Sequence, residues 1–291
     1  MSNAYSLRGL HAQLPQAQLE SYEYERANVH DVYDAIAPHF SATRHTPWPR
    51  VAAFLRTQPP GAVGLDVGCG NAKYLAVNGD VVLLGADRSP ALTGLALARS
   101  RQQQQQQQQP AADVVVADGL ALPFRARAAD FLICIAVIHH LSTRARRQDA
   151  IRQLLRCAKP PPPATPPAGG DTLGAEGGQG GRVLIYVWAL EQGSSRRGWD
   201  QGGEQDLLVP WVVKANRPRK GQQKHRDVGD GNLGQEGDKV FHRYYHLYRE
   251  GELEEDVRAA GGEVLRSGYE RDNWWIIAAA TQATELIANK P

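Results

Sequence analysis

Short apolar runs alternate along this chain with segments whose apolar positions recur at helical spacing. The first two runs, Ala62–Val67 and Val81–Leu84, flank a glycine-rich turn. Runs of this length predict strands, and nearly continuous apolar character predicts strands that are covered on both faces. Further runs that predict strands are Ala112–Ala117, Asp130–Val137, Arg182–Trp188, Glu263–Tyr269 and Asn273–Ala280.

Helical spacing predicts helices between these strands. Residues 20–40 predict a helix that Pro38 stops, and Pro49 is placed to open a helix over Arg50–Thr57. The other predicted helices run from Pro90 to about Arg99, over Ala145–Cys157 and over Glu250–Ala260. This alternation predicts an α/β fold with a mostly parallel seven-stranded sheet, helices on both faces and an antiparallel C-terminal hairpin.

Composition divides the chain into a loose leader, residues 1–19, and one folded domain, residues 20–291. Low-complexity insertions interrupt the domain at about 101–110, 159–181 and 215–239. The first insertion holds eight consecutive glutamines, and the second is rich in proline and then in glycine. Such sequences cannot bury enough apolar surface to build a core, so we expect these two to be disordered loops.

The turn Gly68-Cys69-Gly70-Asn71-Ala72 predicts a unit of strand, tight loop, helix and strand. Its glycines let backbone amides approach a ligand at a helix start. Asp66, at the end of the first strand, can sit near a ligand ammonium, and Asp87, at the end of the second, is placed to hold ribose hydroxyls. Both groups occur in S-adenosylmethionine, whereas Lys73 stands where a dinucleotide fingerprint needs glycine. The alternative is an ordinary tight turn with solvated acids.

Four more candidates follow strands whose carboxyl ends share one edge of the predicted sheet. Asp118 either accepts a hydrogen bond from an adenine amino group or is a turn residue. His139 and His140 are adjacent and therefore diverge, which makes a shared metal site a poor interpretation. We expect one of them to face the substrate and the other to pack inward. Trp188 is either a core residue or a platform on which a base stacks.

Basic side chains mark two further segments. Ser41–Pro49 predicts a rigid loop that can cover the ligand, and Arg44 is its functional candidate. The alternative for Arg44 is a surface side chain whose stem packs on Trp48. The run from Lys214 to Arg226 holds six Lys and Arg residues and no acid. It is either a set of phosphate contacts or a solvated loop.

Composition narrows the classes of function. A formal net charge of +2 gives no bulk attraction to nucleic acid or membrane, so such contacts depend on local clusters. Three cysteines without a CxxC pair indicate a reducing compartment and no cysteine-based zinc site. No apolar run reaches membrane-spanning length, and the N-terminus lacks a signal pattern. We therefore expect a cytoplasmic protein that can also be nuclear.

Longer strings in this sequence resemble the eukaryotic tRNA wobble-uridine methyltransferases, which belong to the class I S-adenosylmethionine-dependent superfamily. The resemblance extends over about residues 25–280. Ala72 departs from the family's pattern, which has glycine at this position, and a loop that needs a positive φ there would be strained. The strings that carry the resemblance are IAPHFSATRHTPWPR, GLDVGCGNAKYL, GADRS, VADGLALPF, IAVIHHLSTRARR, YVWALEQGSSRRG, LVPWV, RYYHLYREGELEEDVRAAG and ERDNWW.

The resemblance implies a Rossmann-like fold and methylation of the carboxylate of 5-carboxymethyluridine at position 34 of tRNA, with S-adenosylmethionine as cofactor. It also implies contact with the tRNA anticodon arm and with a small zinc-binding activator subunit that adds a strand to the sheet edge. The residues that it implies for the cofactor are Asp66, Gly68, Gly70, Asp87 and Asp118. The residues that it implies for the uridine pocket are Arg44, His140 and Trp188.

Two alternatives to this function stay open on the sequence. One is a small-molecule or protein carboxyl methyltransferase on the same scaffold. The other is an inactive scaffold that binds tRNA, which the departure at Ala72 and the insertions would favour if they prevented cofactor binding.

Overall fold

The computed structural model describes residues 16–107, 113–161, 180–193, 199–215 and 237–281. Seven of its strands form the main sheet: β1 (Val63–Val67), β2 (Val82–Asp87), β3 (Val114–Val116), β4 (Phe131–Ile135), β5 (Arg182–Trp188), β8 (Gly262–Tyr269) and β9 (Asn273–Ala280). The other two, β6 (Asp206–Val213) and β7 (Lys239–His246), form a separate antiparallel pair.

The main sheet has the strand order β3-β2-β1-β4-β5-β9-β8. Strands β1 to β5 pair in parallel, and β9 pairs antiparallel with both β5 and β8. The predicted α/β fold with a C-terminal hairpin is confirmed. The chain order reverses between β1 and β4, and the carboxyl edge of a sheet at such a reversal is where ligands bind in open α/β folds.

The core lies on both faces of this sheet, because successive side chains of a strand point to opposite faces. In β4, Phe131 and Ile133 pack with residues of the helix Pro49–Arg56 on one face, whereas Leu132 and Cys134 pack with residues of the helix Arg144–Cys157 on the other. All five residues of β4 are buried. The apolar run that predicted a central strand is therefore the middle of the core.

The helices are α1 (Gln16–Glu25), α2 (Asp31–Thr43), α3 (Pro49–Arg56), α4 (Pro90–Gln107), α5 (Arg144–Cys157) and α6 (Glu252–Ala259). A single π-helical turn, Arg26–His30, joins α1 to α2, and a short 3-10 turn, Ile138–His140, follows β4. Among the described residues, no helix combines the length and the apolar character that crossing a membrane requires.

The prediction that Pro38 stops the first helix is wrong, because α2 continues through Pro38 to Thr43. A proline inside a helix removes one hydrogen bond and costs about 3 kcal/mol. Burial of Ile36 and Ala37 offsets this cost, and Phe40 packs against Trp211 with ring centroids 6.1 Å apart. Tertiary packing therefore decides where the helix ends.

Three predicted boundaries along the chain also need correction. Residues 102–107 of the glutamine tract continue α4 instead of forming a disordered loop, because glutamine is a good helix former and α4 is already nucleated. Residues 16–19, which were assigned to the leader, are in α1. Lys239, the predicted end of the last insertion, begins β7. Residues 1–15 of the leader and residues 108–110, 162–179 and 216–236 of the insertions, which include the basic run after Lys214 and Ala215, lie outside the described residues.

Candidate functional site

A cavity of about 670 Å³ opens at the carboxyl edge of the sheet, where β1 and β4 end. This size falls in the usual range for cofactor and small-ligand sites. Asp66 does not line it. The predicted site residues that line it are Arg44, Gly68, Gly70, Asp87, Asp118, His140 and Trp188.

The glycine turn after β1 forms one wall of the cavity. Gly68 has a φ of +78°, and a Cβ added there would lie 2.2 Å from Cγ2 of Val137. Any side chain at this position would therefore collide with the loop after β4. The amides of Gly68 and Cys69 donate to the carbonyl of Ala86, over 2.7 Å and 3.0 Å.

The helix predicted after this turn is absent. Residues 70–76 instead form successive turns, in which the amides of Ala72 and Leu75 each donate to the carbonyl three residues earlier. Ala72 has a φ of 62° and is buried. The loop therefore needs a left-handed conformation at Ala72, as the glycine in the family's pattern indicated. Alanine adopts this conformation at a cost of roughly 1–2 kcal/mol.

Asp87 fixes the turn from the end of β2. Its Oδ2 accepts a hydrogen bond of 2.8 Å from the Gly70 amide, and its Oδ1 accepts one of 2.9 Å from the Ser89 amide. Burial raises the pKa of Asp87, and these two amides lower it in part. Each carboxylate oxygen keeps a second lone pair for a ligand hydroxyl on the cavity side.

Asp66 lies behind the turn rather than on the cavity wall. It is 1% exposed, and its Oδ2 has no hydrogen-bond partner within the described part of the chain. Burial raises the pKa of Asp66 to about 8, against the opposing charge of Lys73. Its carboxyl is thus mostly protonated at neutral pH, and its direct contact with a ligand ammonium stays a prediction.

Asp118 lines the cavity but already has a cationic partner. Its Oδ2 forms an ion pair with Nη1 of Arg88, and its Oδ1 accepts a hydrogen bond of 2.9 Å from the Leu120 amide. The Arg88 guanidinium lies 5.1 Å from the centroid of the Tyr22 ring. The predicted contact between Asp118 and an adenine amino group stays a prediction.

The two histidines after β4 divide as predicted, with one at the cavity and one inside. His140 lines the cavity, and the fully buried His139 does not. Nδ1 of His139 accepts a hydrogen bond of 3.0 Å from the Trp188 amide, which ties β5 to the loop after β4. Burial holds the pKa of His139 well below its usual range.

Both ring nitrogens of His140 are engaged within the protein. Nδ1 lies 2.7 Å from the Tyr244 carbonyl oxygen, which only accepts, so Nδ1 carries the proton. Nε2 therefore accepts from the Tyr33 hydroxyl at 2.9 Å. Burial lowers the pKa of His140 to about 3, so the ring is neutral. In this arrangement neither ring nitrogen of His140 is free to bind a carboxylate, and its place in a uridine pocket stays a prediction.

A buried arginine that the sequence reasoning missed lies beside His140. Arg243 of β7 is 4% exposed and lines the cavity, and its guanidinium carbon is 4.5 Å from the Trp211 ring centroid and 5.1 Å from that of Tyr245. Its Nη1 donates to the Tyr33 hydroxyl over 3.2 Å. The alternation of basic and aromatic residues in β7 was the available signal, but nothing local indicated that this strand covers the site.

Arg44 shares the Trp211 ring with Arg243. Arg44 is an exposed residue, as the alternative prediction has it, and its guanidinium carbon lies 5.4 Å from the Trp211 centroid. Packing of its stem on Trp48 stays a prediction. The Arg44 carbonyl accepts a hydrogen bond of 2.8 Å from the side chain of Asn71. Within the described ranges, neither arginine forms an ion pair with a carboxylate. Two cations without a carboxylate partner beside one ring give this end of the cavity a positive charge.

Trp188 forms the neighbouring wall. Its ring stacks on Tyr245, with centroids 4.3 Å apart and planes inclined by 17°. Trp199 lies close to it, at a centroid separation of 5.9 Å. Stacking fixes the orientation of Trp188, which therefore presents a rigid aromatic surface to the cavity.

Comparison with known proteins adds the following matches. The profile of the methyltransferase domain family matches residues 65–161. A tRNA (carboxymethyluridine(34)-5-O)-methyltransferase of Saccharomyces cerevisiae is 42% identical over 300 residues, which cover 89% of this chain and 98% of the relative. The protein of the same name from Schizosaccharomyces pombe is 41% identical over 260 residues, covering 88% and 97%.

Solved structures match the fold at low sequence identity. The [4+2]-cyclase SpnF superposes with a TM-score of 0.54 at 14% identity, covering 87% of this chain and 95% of that one. A Haloferax volcanii methyltransferase in complex with the activator Trm112 also gives 0.54, at 15% identity, covering 87% and 98%. These likenesses concern the fold alone.

Proposed function

This chain belongs to the family of tRNA (carboxymethyluridine(34)-5-O)-methyltransferases, and we propose that it methylates the carboxylate of 5-carboxymethyluridine at position 34 of tRNA. The substrate would present a small anion on a pyrimidine. The cavity offers an anion site next to an aromatic wall, in a volume suited to a nucleotide and a cofactor.

The observation that carries this proposal is the pair of unpaired arginines at Trp211. Arg243 is buried without a carboxylate partner in the described part of the chain, although burial of an unpaired charge is costly. A substrate carboxylate placed between Arg243 and Arg44 would neutralise both.

The cofactor of this proposal is S-adenosylmethionine, which supplies an electrophilic methyl group on a sulfonium. The turn at Gly68 and Gly70 fits such a ligand, since both glycines line the cavity with positive φ and present backbone rather than a side chain to it. Asp87 would hold the ribose hydroxyls from its fixed position under this turn. Asp118 would accept a hydrogen bond from the adenine amino group at the edge of the cavity. Asp66 would lie near the ligand ammonium, behind the turn.

The chain's own residues would act by positioning rather than by proton transfer. A carboxylate is ionised near pH 7, so its methylation needs no general base. His140 is neutral, but its unprotonated Nε2 already accepts a hydrogen bond from the Tyr33 hydroxyl. His140 therefore does not act as a general base. Its role would be to hold Tyr33, which in turn holds Arg243. Orientation in a site that excludes water accounts for large rate effects in such reactions.

The same proposal includes a partner at the sheet edge. Strand β3 ends the sheet on one side and exposes Val115 to 39% and Val116 to 56%. An unpaired edge strand with exposed valines is a template for an added strand. We expect the small activator subunit to pair there. The cytoplasmic and nuclear location expected from the sequence stays part of this proposal.

Methyl transfer to defined RNA tests the proposal. The full chain, co-expressed with the activator, would be incubated with methyl-labelled S-adenosylmethionine and tRNA from cells that accumulate 5-carboxymethyluridine. We expect label in a methyl ester of that nucleoside, released by mild base. Label in protein or in a metabolite extract instead would favour the alternative carboxyl methyltransferase. Tight tRNA binding without any transfer would favour an inactive scaffold.

A further inference from the structure

The turn between β8 and β9 has a conformation that its sequence disfavours. Glu270 and Asn273 exchange backbone hydrogen bonds of 2.9 Å and 3.1 Å, which leaves a two-residue loop. Arg271 and Asp272 both lie in the left-handed region, with φ values of 47° and 64°. Hairpin turns of this kind favour Asn, Asp and Gly, so Arg271 is strained here. Strain of this sort persists where surrounding contacts impose it, often at functional sites.

The surrounding contacts build this turn into the cavity wall. The Asp272 carbonyl accepts a hydrogen bond of 3.0 Å from the Ala189 amide, directly after Trp188. The Arg271 carbonyl accepts one of 2.5 Å from the side chain of Asn273. Both Arg271 and Asp272 line the cavity, and Arg271 is exposed. The Arg271 side chain therefore stands at the rim of the cavity, on the side of Trp188.

The acids on either side of Arg271 are occupied by other groups. Glu270 accepts from the Tyr186 hydroxyl over 2.8 Å and pairs with Arg50 at 3.5 Å. Asp272 accepts a hydrogen bond of 3.0 Å from the Tyr269 hydroxyl. In the part of the chain that the structure describes, Arg271 forms no ion pair, although acids precede and follow it. Its charge is thus free to meet an anion that approaches the rim.

We infer that Arg271 binds a backbone phosphate next to the nucleotide that enters the cavity. This inference rests on the proposed function, because that function brings RNA to this rim. A nucleotide inserted against Trp188 carries its own phosphodiester to the cavity edge, where an arginine is the best donor for a phosphate. The strained turn would hold the guanidinium in place. Arg271 would then select RNA over a free nucleoside without touching the base.

The test uses Arg271→Asn, because asparagine tolerates the left-handed conformation and removes the charge. Arg271→Lys restores a charge, and Arg266→Asn is the matched control, an exposed arginine of β8 that does not line the cavity. The readouts are tRNA affinity by fluorescence anisotropy at several salt concentrations, kcat and KM for tRNA, cofactor affinity and Tm.

We expect Arg271→Asn to weaken tRNA binding and raise KM about tenfold, as for one charge-assisted contact. The slope of log affinity against log salt should fall in magnitude by about 0.7, the value for one phosphate of single-stranded RNA. Tm should stay equal or rise, while kcat and cofactor affinity should not change. Arg271→Lys should recover part of the binding, and Arg266→Asn should match the wild type.

An unchanged salt slope and KM in Arg271→Asn would overturn the inference, as would equal losses in Arg266→Asn. A fall in Tm together with lost cofactor binding would assign Arg271 a structural role instead and would also overturn it. The binding readout does not depend on catalysis. If the wild type binds tRNA but transfers no methyl group, the proposed function fails, and the slope still decides the phosphate contact.

Discussion

Nη1 of Arg243 donates a hydrogen bond of 3.2 Å to the hydroxyl of Tyr33, and this bond joins β7 to α2 across the cavity. The same hydroxyl donates to Nε2 of His140, which links both elements to the loop after β4. Three segments distant in sequence therefore share one chain of hydrogen bonds. Its central member, Tyr33, sets the position of the buried guanidinium.

Arg243→Met should separate stability from activity. Methionine fills a similar volume and removes a buried charge that lacks a carboxylate partner, so unfolding free energy should be unchanged or higher. Transfer to tRNA should fall by about 10- to 100-fold, the range for a lost hydrogen bond to a charged group. Urea unfolding and single-turnover kinetics measure the two effects. Arg258→Met, an exposed position on α6, is the control. A destabilised Arg243→Met that keeps full activity would contradict the anion site.

Asp87→Ala should impair binding of the cofactor, whereas Arg44→Ala should impair only methyl transfer to tRNA. Asp87 holds the glycine turn through the Gly70 amide, so its removal should abolish binding of S-adenosylmethionine. Arg44 lies at the anion end of the cavity, and its loss should spare cofactor binding and impair transfer to tRNA. Titration calorimetry with the cofactor distinguishes the two. Loss of cofactor binding in Arg44→Ala would remove its assignment to the substrate.

Folding should weaken in mild acid because His140 is buried in its neutral form. The pKa of His140 is lowered to about 3 in the folded state, so below pH 6.5 the unfolded chain binds more protons and stability falls. Between pH 6.5 and 5.5 this residue alone should account for a loss of about 1 kcal/mol. His140→Gln should remove that part of the pH dependence.

The pH measurement needs comparison between variants, because Asp66 has the opposite sign. Its pKa is raised to about 8, so it favours the folded state as pH falls towards its unfolded value. Urea unfolding at both pH values in the wild type and His140→Gln isolates the histidine. His242→Gln, at an exposed position of β7, should leave the pH dependence as in the wild type. Identical pH profiles in all three proteins would show that His140 is not buried in its neutral form.

Val116→Glu should disrupt the partner at the β3 edge. A charge at a position that is 56% exposed has little effect on the free chain but is unfavourable under an added strand. Co-purification with the activator should be lost, while cofactor binding persists. Leu265→Glu, at 41% exposure on the opposite edge strand β8, should keep the partner. Equal behaviour of the two variants would argue against the β3 edge.

The central strands of the main sheet were predictable because they are covered on both faces. Runs such as Arg182–Trp188 carry a signal that depends only on local sequence. The positions of Gly68 and Asp87 were predictable for a related reason, since strand ends in a parallel sheet meet at one edge. Because the strand order is as predicted, Gly68 and Asp87 both line the same cavity.

The antiparallel pair of β6 and β7, which carries Arg243, was not predictable from local sequence. Strands β6 and β7 are half exposed and are separated by a long segment, so the pairing of Trp211 with Phe241 has no nearby signal. In the sequence, Arg243 is one of several basic residues in an aromatic stretch, and nothing there indicated that it belongs to the site. The hydrogen bonds of His140 were hidden similarly, because Tyr33 and Tyr244 reach it from both sides over more than one hundred residues of chain.

The pairing of β6 with β7 has a consequence for engineering and for natural variation in length. Residue-by-residue register from Asp206 opposite His246 to Val213 opposite Lys239 is fixed within the two strands themselves. The segment that connects their far ends can therefore be lengthened, shortened or replaced by a tag without moving Arg243. A reporter inserted there would be attached to the strand pair that carries Arg243.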